Sequence, residues 1–431
     1  MPIAETSMIA SENRAGSKEA SAWVQARTWG LLFLVAAMVQ IGFLALLPAS
    51  ARSNDSVDFL RYYDPVAQNL LAGNGLVVEP GKFGTTYPPG FPVFLAFAYR
   101  AGDLFHISHI HALLALNVLA MSLAAVLVFA TAKALFDTEI ALCSTALWIT
   151  YLFNLWLIKQ PNSEVPFTPL LYGGIYFLIR SWQKRTAGSA VACGFLLGLA
   201  ALVRPIVIFL PVLAAVLLLT RKEITPRKRT LIAVLIVVVF GITALPWEAA
   251  LYIHTGRVAP LSTNGPATIF DGVTFTRRSN VQGIPPSVAD LMRRIAANQR
   301  ELNSSAKLFG YLAAEAKHHP GTVADLFLLK AARSWFGTDS GAHERPILAL
   351  QGFYLAFAMY GFFLLYERRP DRRPQLALLL ILVLYFWGMA FVALSILRYL
   401  VPAMAYLLIP AAALPATLIK RRRQMAASGA V

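Results

Sequence analysis

SNDSVDFLRYYDPVAQNLLAGNGLVVEPGKFGTTYPPGFPVFLAFAY, residues 53–99, lies directly behind the first long apolar segment of the chain. It sets acids, a base, tyrosines and a Pro-Pro-Gly turn at the foot of a membrane helix. An apolar chain has no structural need of them there, so this interface is where chemistry is expected. In a helical turn Asp58, Arg61 at i+3 and Tyr62 at i+4 share one face. Asp64 followed by Pro65 reads as an N-cap and first helical residue, and Gly73 as the glycine just past the helix end. This gives a short helix with Val66, Leu70 and Leu71 toward the bilayer. Capping accounts for Asp64 and a solvated loop for Asp55, so both stand in reserve behind Asp58. Tyr87-Pro88-Pro89-Gly90 then opens a second apolar stretch. Its residues 91–105 are few and carry Arg100 and Asp103, which suits a helix lying in or re-entering the interface rather than a crossing.

Around this stretch the chain is apolar: 57% of residues are hydrophobic and 14% charged, the balance of a polytopic membrane protein rather than a soluble domain with an anchor. Runs near the ~20 residues that cross a bilayer fall at 29–48, 109–132, 139–158, 165–181, 188–204, 205–220, 229–250, 347–366, 375–395 and 399–419. The expected fold class is therefore all-α, with about ten transmembrane helices, interfacial helices in the first external loop and a small external domain. If the N-terminus is cytoplasmic, Lys133 and the basic stretches 180–185, 221–229, 367–374 and 420–423 all fall inside, as the positive-inside rule requires. Counting 91–105 as a crossing would put every later cluster outside. The net charge of +16 is thereby explained by topology, and a nucleic-acid partner loses its support.

The expected organisation is a polar, disordered cytoplasmic N-terminus (1–28) and an N-terminal transmembrane module (29–253) whose first external loop (49–108) holds Asp58. An external or periplasmic domain (254–346), C-terminal transmembrane helices (347–419) and a basic cytoplasmic tail (420–431) follow. The 254–346 segment is too long for an idle connection and has helical patterns over 287–301 and 304–318, so it reads as a small folded cap. Its basic residues do not count against the orientation, because long loops translocate largely regardless of charge. The first apolar segment is too long for a signal-peptide core and has no small-residue cleavage pattern behind it, so no cleavable signal is expected. Cys143 and Cys193 lie inside apolar segments and support neither a disulfide nor a cysteine metal site. The location that follows is the plasma (inner) membrane, with the site at the external face.

The spacing Asp58, Arg61, Tyr62, Leu70 and Gly73, followed by the Pro88-Pro89 turn, resembles the membrane glycosyltransferases with the GT-C fold. The pattern is most similar to the lipid A aminoarabinose transferases, the protein O-mannosyltransferases and the rhizobial lipopolysaccharide glycosyltransferases. The resemblance implies a sugar that arrives on a polyprenyl phosphate and a catalytic aspartate in the first external loop, here Asp58. Arg204-Pro205, Arg398-Tyr399-x-x-Pro402, Ser163-Glu164, Pro246-Trp247 and the Leu261–Gly265 stretch resemble further elements of these families. Two positions depart. Phe59 stands where many members carry a second acid, which puts a metal-assisted or two-acid mechanism in doubt. Tyr87 stands where the aminoarabinose transferases have a lysine before Pro-Pro, so phosphate must be held by another cation.

The implied reaction breaks the bond between the anomeric carbon and a phosphate oxygen. Asp58 would act as general base toward the acceptor hydroxyl, and the leaving phosphate would need fixed cations. Candidates are Arg61, Lys82, Arg204 and Arg398. Arg204 and Arg398 stand at helix ends where a buried guanidinium is costly without an anion, although snorkelling to the interface also accounts for them. Tyr62, Tyr87, Glu164 and Tyr399 are expected to line the substrate, with Glu164 doubling as a helix cap. The implied partners are a polyprenyl-phosphate sugar donor, a glycolipid, polysaccharide or protein acceptor, and the bilayer. No cofactor is firmly implied, and a divalent ion stays open. No metal site is proposed: His106, His109 and His111 sit together but lack a carboxylate at ligand spacing. The alternative from another class is a transporter or flippase for a lipid-linked or anionic solute. Carriers usually hold their charges near the midplane with broken helices and repeat symmetry, whereas here the charges gather at one face.

Overall fold

The computed structural model describes residues 3–52, 56–184, 186–220, 223–275 and 281–428. Asp55 lies outside the described residues. Helix α1 spans Ile3–Leu46, so helix occupies the segment expected to be disordered. From residue 3 to 28 that segment is rich in Ala, Glu and other tolerated helix residues and has no proline, so nothing interrupts a helix extended from the apolar part. A π-turn at Phe59–Tyr63 leads into α2, Asp64–Leu71. The hairpin β1 (Val77–Glu79) and β2 (Lys82–Phe83) pairs antiparallel and precedes α3, Gly90–Phe105.

The bundle then runs through α4 (His109–Leu135), α5 (Thr138–Ile149), α6 (Leu152–Ile158), α7 (Glu164–Lys184), α8 (Ala187–Val203), α9 (Leu210–Leu219) and α10 (Pro226–Thr255). Four helices follow outside it: α11 (Gly265–Thr274), α12 (Pro286–Ala297), α13 (Ser305–His318) and α14 (Pro320–Arg333). The chain closes with α15 (Glu344–Arg368), α16 (Arg373–Val392), α17 (Met404–Ala411) and α18 (Ala413–Ser428).

Among the described residues, 6 helices are long and apolar enough to cross a membrane, or 7 if α5 and α6, bent by 53°, are counted as one. This is fewer than the ten apolar runs. The runs 188–204 and 205–220 form helices of only 17 and 10 residues, and the bend after Ile149 divides 139–158. Helix α7 packs between α4 and α8 with most of its side chains buried, so it can carry Glu164, Thr168 and Ser181 at little cost from lipid exposure. Helix α3, 16 residues long, is not among the candidate spans.

The main core joins the two ends of the chain through α4, α5, α7, α8 and α17. A second apolar cluster, with Phe270, Val288, Leu291, Ile295, Leu312 and Leu326 at its centre, holds α11–α14 together. At one end of the bundle Asp137 caps α5 through Ile140 N–H at 3.1 Å and accepts Lys420 at 2.9 Å and Arg369 at 3.0 Å. Three chain-distant segments are thus stapled by one carboxylate.

Candidate active site

At the opposite end from that staple, the first loop presents Asp58. The helix there is wider than α: the Asp64 N–H bonds to Phe59 O, five residues back. A turn of this kind is wider than an α-turn, so the i+3 spacing that would put Arg61 on the face of Asp58 does not hold here. Tyr63 packs on Tyr87 at 4.9 Å and edge-on to Phe91 at 4.9 Å. Burial pushes its phenol well above the usual range, Tyr87, Asp58 and Tyr399 push the same way, and the Arg204 guanidinium opposes them. One phenol therefore feels Asp58, Arg204 and Tyr399 together.

Two structural devices bring that loop to Arg204. Tyr62 is buried and its hydroxyl reaches both Gly84 O and Tyr87 O at 2.8 Å, which pins the chain ahead of the Pro-Pro turn. Gly90 then lies against the end of α8, where a β-carbon would come within 2.7 Å of Leu202 O and of Val203 Cγ2. Only glycine permits that approach, and the next residue but one in α8's exit is Arg204. The Ser262-Thr263-Asn264-Gly265 stretch braces the same loop from outside: Thr263 N–H and Oγ1 both donate to Thr85 O, at 3.1 and 3.2 Å. Trp247 Nε1 holds Leu261 O at 2.8 Å.

The cations converge on Glu164. Its side chain is 1% exposed, with Arg204 Nη1 at 2.6 Å and Arg398 Nε at 3.0 Å from the same Oε1. Arg204 Nη1 also donates to Ser163 Oγ at 2.7 Å. Neither Glu164 oxygen has a well-aligned hydrogen-bond donor among the described residues, so the contacts are ion pairs with directional capacity left over. Tyr399 lies beneath both guanidiniums, 4.6 Å from that of Arg204 and 5.9 Å from that of Arg398, a cation–π arrangement that orients them. Arg398 Nη2 also meets Asp339 Oδ1 at 3.4 Å.

Of the residues expected from the sequence, Glu164, Arg204, Arg398 and Tyr399 are thus brought into contact, and Tyr63, with Tyr87 packed on it, stands between that cluster and the turn that presents Asp58. Tyr62 supports it through backbone contacts. Arg61 is exposed and makes no ion pair among the described residues, because the π-turn carries it away. Lys82 is exposed on β2, whose Phe83 stacks on His254 at 3.8 Å and on Trp247 at 5.8 Å, and among the described residues it makes no ion pair with the cluster. Asp64 is not an N-cap. It has helical backbone angles, and its carboxylate accepts the Tyr99 hydroxyl at 2.6 Å and Gln68 Nε2 at 2.7 Å. The preceding π-turn already continues the helix, which leaves no free first-turn donors to cap. Gly73, by contrast, ends α2 with φ +82°, and Asn74 N–H closes back to Asn69 O at 2.9 Å, a Schellman closure.

Tyr63 and Asp339 were not legible in advance. Asp339 sits in a polar loop with no periodicity, and the role of Tyr63 depends on a π-turn that no local residue pattern announces. A separate cavity of about 520 Å³ is lined by Phe59, Leu60 and Asp64 of the Asp58 segment together with Arg52, Tyr99 and His109. His109 there pairs with Asp103 at 2.9 Å and stacks on Tyr99 at 4.6 Å.

Residues 87–247 match the family described as dolichyl-phosphate-mannose-protein mannosyltransferase. The fold is similar to that of the oligosaccharyltransferase AglB from Archaeoglobus fulgidus in complex with an inhibitory peptide and a dolichol-phosphate. The TM-score is 0.54 and the identity 14%, over 95% of this chain and 52% of that one. The apo form of the Archaeoglobus fulgidus oligosaccharyltransferase gives a TM-score of 0.56 at 15% identity, over 93% and 52%. ArnT from Cupriavidus metallidurans bound to undecaprenyl phosphate aligns at 16% identity over 90% of this chain and 77% of that one, with a TM-score of 0.45. The chain spans about half the length of the oligosaccharyltransferases it matches. No curated protein sequence matches it. The fold is that of the GT-C membrane glycosyltransferases.

Proposed function

We propose that this chain is a membrane glycosyltransferase that moves a sugar from a polyprenyl-phosphate donor to an acceptor hydroxyl at the external face, with Asp58 as general base. The observation that carries this reading is the convergence of Arg204 and Arg398 on buried Glu164, beside the turn that presents Asp58. A half-buried pair of arginines at a helix end is a site for an anion with a lipid tail: the head meets the guanidiniums while the tail stays in the bilayer. The dolichol-phosphate bound to AglB and the family match over residues 87–247 support the same class of donor.

In this mechanism Asp58 accepts the proton of the acceptor hydroxyl, and the oxygen attacks the anomeric carbon from the side opposite the phosphate, inverting the configuration. The anomeric carbon–oxygen bond breaks toward the phosphate, and Arg204 and Arg398 stabilise the charge gathered there. Each charge-assisted contact contributes ~1.5–3 kcal/mol. Glu164 keeps the two guanidiniums together, and Tyr399 limits their swing. The end stapled by Asp137 gathers Lys420 and Arg369, which supports cytoplasmic termini under the positive-inside rule.

The test is transfer of radiolabelled sugar from polyprenyl phosphate by the purified chain. Asp58→Asn is expected to fold normally and to lose a factor of about 10²–10⁴ in turnover. Near-normal turnover in that variant removes Asp58 from the chemistry. Solute movement across sealed vesicles with no transfer would favour a transporter instead.

A further inference from the structure

The arginine pair is neutralised in this structure by two carboxylates that differ in kind. Glu164 is 1% exposed, belongs to the first residue of a core helix, and touches both guanidiniums. Asp339 is 58% exposed, pairs among the described residues with Arg398 and no other cation, and sits at the longer distance of 3.4 Å. It belongs to the short loop between α14 and α15, not to the membrane bundle.

That loop is held over Arg398 by fixed contacts. Leu397 N–H donates to Gly337 O at 2.9 Å, which ties the loop to the residue just before Arg398. The buried guanidinium of Arg333 pairs with Glu344, and Thr338 N–H donates to Glu344 Oε1 at 3.0 Å. The loop is clamped on both sides of Asp339 while the Asp339 side chain itself remains solvated. Such an arrangement lets one carboxylate swing out without unfolding the loop.

We propose that Asp339 is the displaceable counter-ion of the donor site: it occupies the outer face of Arg398 in the empty enzyme and yields it to the phosphate of the donor. This rests on the reading of Arg204 and Arg398 as the donor-phosphate site. The two arginines and two acids sum to zero charge, so a phosphate entering without displacement would leave the site net negative. Like charges at this range repel, and the cheaper acid to move is the exposed one with a single partner, because Glu164 could not leave without entering apolar surroundings. Asp339 thereby sets donor affinity and excludes small anions that lack a tail to offset its displacement.

The experiment is equilibrium binding of undecaprenyl phosphate to the full chain in nanodiscs, with uncharged undecaprenol as the control lipid. Asp339→Asn removes the competing charge at constant shape and is expected to tighten binding about two- to fivefold, the range for a partly exposed ion pair. Asp339→Glu keeps the charge and is expected to bind as the wild type does. Inorganic phosphate should compete with the lipid more effectively in Asp339→Asn than in the wild type. Unchanged or weaker binding in Asp339→Asn, with the wild type still preferring the phosphate lipid over undecaprenol, overturns the counter-ion role alone. A wild type that does not distinguish the two lipids overturns the donor-site reading and this proposal with it.

Discussion

Glu164→Gln is the sharpest perturbation of the site, because it removes the one charge on which both arginines depend. The substitution preserves volume and leaves two guanidiniums, 12% and 30% exposed, facing each other across a neutral amide. Breaking a buried pair by removing one partner costs ~3–5 kcal/mol. The expected loss is about 3 kcal/mol, near the low end of that range, because Arg398 keeps Asp339 and some solvent. The missing anion can be resupplied by a ligand, so a lipid phosphate should stabilise Glu164→Gln by more than it stabilises the wild type. The assay is thermal unfolding of the purified protein in detergent, with and without undecaprenyl phosphate. The variant should melt lower when empty and close most of the gap when the lipid is saturating. A variant as stable as the wild type, or one whose deficit is untouched by the lipid, would refute the view that Glu164 holds an anion site together.

Arg398→Ala should weaken donor use about ten- to a hundredfold, the worth of one charge-assisted contact, with acceptor KM changed little. Arg398→Lys should recover only part of this, since a point charge replaces a bidentate fork; donor and acceptor titrations of each variant decide it. Gly90→Ala should cost ~1–3 kcal/mol from overpacking against Leu202 and Val203 and should lower turnover by moving the first loop off Arg204, read by melting temperature and transfer rate. At the other end, burial alone would raise the Asp137 carboxyl, but Lys420, the Ile140 N–H and Arg369 together outweigh it and hold it below the usual range. A depressed folded-state pKa contributes stability above the unfolded value of about 3.9, lost as pH falls through the folded value. Unfolding of Asp137→Asn measured from pH 7 to pH 3 should therefore show lower stability at neutral pH and a smaller loss on acidification than the wild type.

Much of the candidate site was legible because it is written in short local patterns. Asp58, Tyr87 and the Pro-Pro-Gly turn stand out as polar or rigid residues at the foot of an apolar run, and Gly73 announces a helix end by the backbone angle it alone tolerates easily. Arg204 and Arg398 stand out because guanidiniums at helix ends require a reason. Glu164 was harder: a carboxylate at a helix start has an adequate explanation as a cap, and nothing in residues 161–168 says that two arginines from elsewhere will close on it. Arg61 and Lys82 illustrate the reverse case, cations near the right stretch that local geometry directs into solvent.

By itself the sequence determined the all-helical membrane character, the positions of the apolar runs, the basic clusters between them and the loop in which chemistry is sought. These are one-dimensional properties: hydropathy, charge and turn chemistry act over a few neighbouring residues. Only the tertiary structure decided how many runs form long helices, that the first loop carries a π-turn, and that Asp64 binds Tyr99 rather than capping α2. It alone joined Glu164, Arg204, Asp339 and Arg398 into one charge cluster. The physical reason is that a salt bridge between distant residues depends on how helices pack, and packing is set by the whole bundle at once, including a close approach at Gly90 that has no local signature beyond a glycine after two prolines.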